Sequence, residues 1–145
     1  MRQKNKFDGD IIIVGGGITG SSLACLLGDV GFSIILLDAD IKLEHIPEKN
    51  DPRVFAITIA SERILKKTGA WFFLNKKNIS PFRRMHVWDK NGNGEIHFES
   101  ASICEPTMGY IIPHIDILDA LHKRISNLEN VRHIKGVLPI KIKVE

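Results

Sequence analysis

DIIIVGGGITGSSLACLLGDVGFSIILLD, residues Asp10 to Asp38, decides how the fold is read. A β-branched run (Ile11, Ile12, Ile13, Val14) predicts a strand, and Gly15, Gly17 and Gly20 follow it at G-x-G-x-x-G spacing. An apolar, helix-like stretch comes next, then Gly31, then a second apolar run from Ile34 to Leu37 that ends on an acid, Asp38. Strand, glycine turn, helix, strand and acid stand in the order of a βαβ dinucleotide-binding unit. Gly15 permits a sharp turn out of the first strand. Gly17 lets the backbone approach a pyrophosphate, and Gly20 lets the helix pack closely on the sheet, with Ala24 keeping that face small one turn on. The unpaired N–H groups at the start of the helix point at the phosphates. Asp38, 18 positions after Gly20, stands where a carboxylate accepts hydrogen bonds from ribose hydroxyls and repels a 2′-phosphate. The unit therefore suits the adenosine half of FAD or NAD better than that of NADP.

Competing readings of this stretch fail on composition. Ile11 to Gly28 is 18 residues without a charge, but five glycines, two serines and a threonine make it a poor membrane span. A signal peptide is excluded because Asp8 and Asp10 interrupt the basic start and three consecutive glycines break the apolar run. The 43% apolar and 26% charged fractions are ordinary for a soluble globular chain, and 145 residues suffice for a domain with a real core. The net charge is only +3 and the basic pairs are dispersed, so no nucleic-acid partner is expected. Cys25 and Cys104 make no disulfide framework, which fits a reducing cytoplasm. The six histidines are scattered, with no pair at helical ligand spacing, and no metal site is expected.

Beyond Asp38 the chain reads as a loop over Ile41 to Asn50, a strand or turn over Val54 to Ile59, and a helix over Ser61 to Lys67 with Gly69 as its terminator. Met85 and Val87 alternate with His86 and Trp88, and Asn91-Gly92-Asn93-Gly94 is a tight-turn signal before a returning strand, Glu95 to Phe98. This predicts a hairpin. Gly109 to Ile112 reads as a strand, and Ile117, Leu118, Leu121, Ile125 and Leu128 follow a helical period. Val131 to Ile134 reads as a third buried strand, and Ile140, Ile142 and Val144 as a half-exposed strand.

Four segments, in order, resemble the FAD-dependent aromatic hydroxylases of ubiquinone biosynthesis, within the class A flavoprotein monooxygenases typified by p-hydroxybenzoate hydroxylase. They are IIIVGGGITG with LLDAD, DPRVFAI with SERILKKTGAW, PFRRMHVWDKNGNGEIHFES, and MGYIIPHIDILDAL. The resemblance implies an α/β fold, a Rossmann-like FAD-binding βαβ with parallel strands plus part of a mixed or antiparallel substrate-domain sheet. It implies an FAD-binding region over 8–79, a partial substrate-domain hairpin and strand over 80–112, and a helix and strand over 113–145 returning to the FAD-binding domain. Gly15, Gly17, Gly20 and Asp38 would then bind FAD, and Arg53 would lie against it with several donors for phosphate oxygens. Trp88 and Asp89 would lie in the substrate-domain sheet, with Trp88 read as a core side chain.

The reaction implied is hydroxylation of a prenylated phenol or quinol by FAD, NAD(P)H and oxygen. Such chemistry asks the protein for orientation and shelter, and no catalytic acid or base is assigned. Pro113 and His114 depart from the Glu-Asn that the family usually carries after its Gly-Tyr. The family's later Asp-Gly and Gly-Asp-Ala-x-His motifs are absent, so an N-terminal fragment, inactive alone, is expected. Its partners would be a separate C-terminal chain or other ubiquinone-biosynthesis proteins, with peripheral membrane contact following from the lipid-like substrate. Two other readings stay open: another FAD- or NAD-dependent oxidoreductase sharing only the first motif, and a non-catalytic nucleotide-binding module.

Overall fold

The structure, a computed structural model, describes residues 9–39 and 52–141. Its elements are β1 (Ile11–Val14), α1 (Ile18–Asp29), β2 (Ile34–Asp38), β3 (Val54–Thr58), α2 (Ile59–Lys67), β4 (Ser80–Phe82), β5 (Arg84–Trp88), β6 (Glu95–Glu99), β7 (Gly109–Pro113), α3 (His114–Ser126) and β8 (Val131–Lys135). The loop expected over 41–50 lies outside the described residues. So do Ile142 and Val144 of the expected last strand, and Ile140 carries no strand.

β1, β2 and β8 form a parallel sheet with β2 in the middle, as the β-branched runs predict. Parallel pairing needs long crossovers, and α1 and α3 supply helices that cover one face of this sheet. Ile13, Ala24, Cys25, Ile34, Leu36, Ile117, Leu121 and Val131 are buried together there. Full burial of each large side chain contributes about 1.5–3 kcal/mol before ordering costs. The close approach of α1 depends on small residues. A Cβ on Gly28 would stand 2.6 Å from Val131 Cγ2, so only hydrogen fits between α1 and β8. Arg124 of α3 ties the layers together, bonding Asp29 at the end of α1 and donating from Nε to the Thr68 carbonyl at 2.9 Å.

The second sheet is antiparallel, in the order β3-β7-β4. It joins β3, from the region expected to bind the cofactor, to β4 and β7, from the region expected to belong to the substrate domain. α2 begins two residues before the expected start, because Thr58 acts as N-cap and its Oγ1 accepts from Ser61 N at 3.3 Å. Gly69 takes the left-handed conformation expected of a terminator, with φ 76°. The expected hairpin is β5–β6, a separate antiparallel pair. Its apolar face carries Met85, Val87, Ile96 and Phe98, all exposed. Trp88, read from sequence as core, is 67% exposed on the opposite face. Alternation groups residues by face, but it does not say whether anything covers that face.

Candidate dinucleotide site

The site is built where β1 ends, α1 begins and β2 ends. Gly15 turns the chain at φ 107°, a conformation a side chain would strain, and its N–H donates to the Leu37 carbonyl at 2.8 Å. That bond holds the turn against the end of β2. A Cβ on Gly16 would stand 2.3 Å from Asp38 Oδ2, so the carboxylate lies directly against this backbone. Gly17 is the N-cap of α1 and offers no side chain to its N–H groups. A Cβ there would meet nothing within 4 Å, so Gly17 faces open space. A Cβ on Gly20 would fall 1.9 Å from the Gly15 carbonyl oxygen. The sequence reading gave Gly20 a role in packing helix on sheet; the tighter constraint is helix on turn.

Two further residues shape this turn. Ser21, fully buried, donates from Oγ to the Gly16 carbonyl at 2.7 Å. His122 of α3 brings Nε2 to 3.4 Å from the same oxygen. The sequence reading missed both. Ser21 was detectable as a hydroxyl one turn inside the helix, whereas His122 is 106 residues from its partner and leaves no local signal.

No acid stands in the first turn of α1 and no side chain caps it, so its N-terminal donors and positive dipole end are directed at the space over Gly17. A diphosphate needs such a space, and a cradle that a methyl group would fill fits it. Asp38 is nearly buried at the end of β2 and lies 3.8 Å from His133 Nε2. Burial pushes the pKa of both His122 and His133 down, the positive Lys135 adds to this, and Asp38 opposes it. Both rings are held neutral at pH 7.

The structure thus brings Gly15, Gly17, Gly20 and Asp38 together. Arg53 belongs to the second sheet: it stands exposed just before β3, and its carbonyl accepts from His114 N at 2.9 Å. Cys25 is fully buried, and burial raises its thiol to about 11, which keeps it protonated and inert.

Over 123 residues, 81% of this chain, the sequence is 36% identical to the human ubiquinone biosynthesis monooxygenase COQ6, mitochondrial. Over 119 residues it is 30% identical to ubiquinone hydroxylase UbiL of Rhodospirillum rubrum. The chain is similar to part of these ubiquinone-biosynthesis hydroxylases. Another relative of this family, 3-demethoxyubiquinol 3-hydroxylase of Escherichia coli, is 29% identical over 118 residues. The chain spans 26% of human COQ6, 27% of UbiL and 30% of the Escherichia coli enzyme. No protein-family model matches it.

Solved structures share the fold. PqsL of Pseudomonas aeruginosa, described as a probable FAD-dependent monooxygenase, superposes with a TM-score of 0.61 at 19% identity, over 88% of this chain and 33% of its own. The Diels-Alderase PyrE3 superposes with a TM-score of 0.61 at 22% identity, over 86% of this chain and 24% of its own. One fold therefore serves different chemistries, and function rests on the site and the family.

Proposed function

We propose that this chain holds the adenosine diphosphate end of FAD, as the N-terminal part of a monooxygenase that hydroxylates a prenylated phenol or quinol in ubiquinone biosynthesis. The observation that carries the reading is the open cradle at Gly17, with the uncapped start of α1 on one side and Asp38 on the other. In this reading Gly15, Gly17 and Gly20 admit the pyrophosphate, the α1 N–H groups bond its oxygens, and Asp38 accepts from ribose hydroxyls. Arg53 adds charge-assisted donors to phosphate oxygens. Bound FAD supplies the electron transfer from NAD(P)H and the oxygen activation that ring hydroxylation requires.

Ring orientation, water exclusion and substrate contact are assigned to parts of the full-length protein beyond the quarter to a third that this chain spans. The chain alone is accordingly proposed to be inactive as a hydroxylase. It works in a reducing, cytoplasm-like compartment with peripheral membrane contact through the lipid-like substrate. Among the described residues no helix is long and apolar enough to cross a membrane.

Equilibrium titration tests the cofactor assignment. FAD should bind, ADP should compete with it and riboflavin should not, because only the adenosine end is held here. Competition by riboflavin but not ADP, or binding of NAD in preference to FAD, overturns the reading.

A further inference from the structure

Between Arg63 and Trp88 the chain carries seven of its 20 Lys and Arg residues and none of its 17 Asp and Glu. The net charge of +3 hides this run, because elsewhere acids outnumber bases. Within it lies the connection from α2 to β4, which includes AWFFLNKKN over Ala70 to Asn78. Its first part, Ala70–Phe73, is a 3-10 turn whose side chains divide between core and surface. Ala70 and Leu74 are buried, and Trp71 packs edge-on against Tyr110 of β7 with ring centroids 5.4 Å apart. Phe72 and Phe73 are left outside, 81% and 39% exposed. The inner residues anchor the backbone, so the outer two rings are held in water.

Exposed lysines flank these rings: Lys67 at the end of α2, and Lys76 and Lys77 in the following 3-10 turn. Acids beyond the run pair with other members of it, Glu62 with Lys66, Glu105 with Arg63 and Glu99 with Arg84. Asn78 Nδ2 donates to Asp116 of α3 at 2.7 Å. None of these acids is paired with Lys67, Lys76 or Lys77.

We propose that Phe72, Phe73, Lys67, Lys76 and Lys77 form a surface that seats this chain on an anionic lipid bilayer. A bilayer interface takes aromatic rings among its headgroups, and anionic headgroups attract a basic cluster beside them. Either signal alone gives marginal binding, and the two add. Duplex nucleic acid would engage the lysines and leave the rings in water. Arg124 sets where this surface lies, since it bonds Asp29 at the end of α1 and donates to the Thr68 carbonyl just before the turn. The turn therefore stands at the C-terminal end of α1, and the dinucleotide cradle at its start. The 12 residues between span about 18 Å, so a seated chain keeps its cradle open. This surface gives the peripheral membrane contact proposed above a place in the fold, and rests on that part of the reading alone.

The full chain, with no nucleotide or quinone present, is sedimented with vesicles of equal parts phosphatidylglycerol and phosphatidylcholine, and with vesicles of phosphatidylcholine alone. Binding is expected to the first set, weakening as salt is added, and far less to the second. Phe72→Ala with Phe73→Ala should weaken it at least about tenfold. Lys76→Gln with Lys77→Gln should do the same, each lysine near an anionic surface contributing roughly fivefold. All four side chains are exposed, so circular dichroism should match the parent. Lys90→Gln with Arg132→Gln removes the same charge from other exposed positions and should weaken binding less than either pair. No sedimentation with the anionic vesicles, equal binding to both vesicle types, or equal loss from the two charge pairs overturns the proposal. So does self-association without vesicles that the phenylalanine pair abolishes, which would assign the rings to a contact between copies. The FAD titration, run without vesicles, is a separate readout, so failure of one assignment is distinguishable from failure of the other.

Discussion

Gly17 and Gly20 are both motif glycines, yet a methyl group on each meets different surroundings. On Gly20 it collides with the Gly15 carbonyl, and on Gly17 it enters open space. Gly20→Ala should therefore destabilise the turn outright, while Gly17→Ala should leave stability within about 0.5 kcal/mol, as an unhindered surface change does. If the cradle holds a diphosphate, Gly17→Ala should nonetheless weaken FAD binding at least about tenfold, or about 1.4 kcal/mol. Thermal unfolding and an FAD titration on the two variants separate the effects. The cysteines contrast in the same way. Cys25 is fully buried and stays a thiol, whereas Cys104 is exposed in a left-handed turn at φ 53°. A thiol reagent should modify one group in the native chain and both in denaturant. Rapid native modification of Cys25 would contradict its burial.

At the scale of one element, α2 carries a side-chain cap that can be removed. Thr58→Ala removes the hydroxyl that caps its N-terminus and should cost about 1 kcal/mol, read by urea unfolding, with Thr58→Ser restoring most of it. Elements were legible wherever periodicity and punctuation agreed. β1, α1, β2, the hairpin, α3 and β8 stand where the runs Ile11–Val14, Ile34–Leu37, Met85–Phe98 and Ile117–Ile125 put them. The glycine turn and Asp38 were legible too, because a strand end, a helix start and a second strand end lie close in sequence. Contacts spanning long separations were not. Nothing around His122 or His133 signals that α3 and β8 deliver them to Asp38, and Gly16 shows its need for glycine only once that carboxylate lies against it. β4 was missed because three residues, one of them Pro81, carry no readable pattern.

For the molecule as a whole, the two lowered histidines set a dependence of stability on pH. Their ordinary value is 6.5, and burial pushes both below it, with Lys135 adding to the shift and Asp38 opposing it. Between the lowered values and 6.5 the unfolded chain therefore holds more protons than the native one. Stability should rise with pH across that window and be lost as pH falls through it. The melting temperature should drop as pH falls below about 6.5, and His133→Gln should flatten the slope. A flat profile in the parent chain would contradict the burial of these rings. The central position of β2 has a consequence in time. Its first partner, β1, lies about twenty residues before it, but its second, β8, begins at Val131, after every other element described. On the ribosome, the far side of β2 must wait until every element from β3 to α3 has been made before it is paired. During that interval an apolar strand with one bare edge is open to the wrong neighbour, so the yield of folded protein depends on how fast α3 delivers β8.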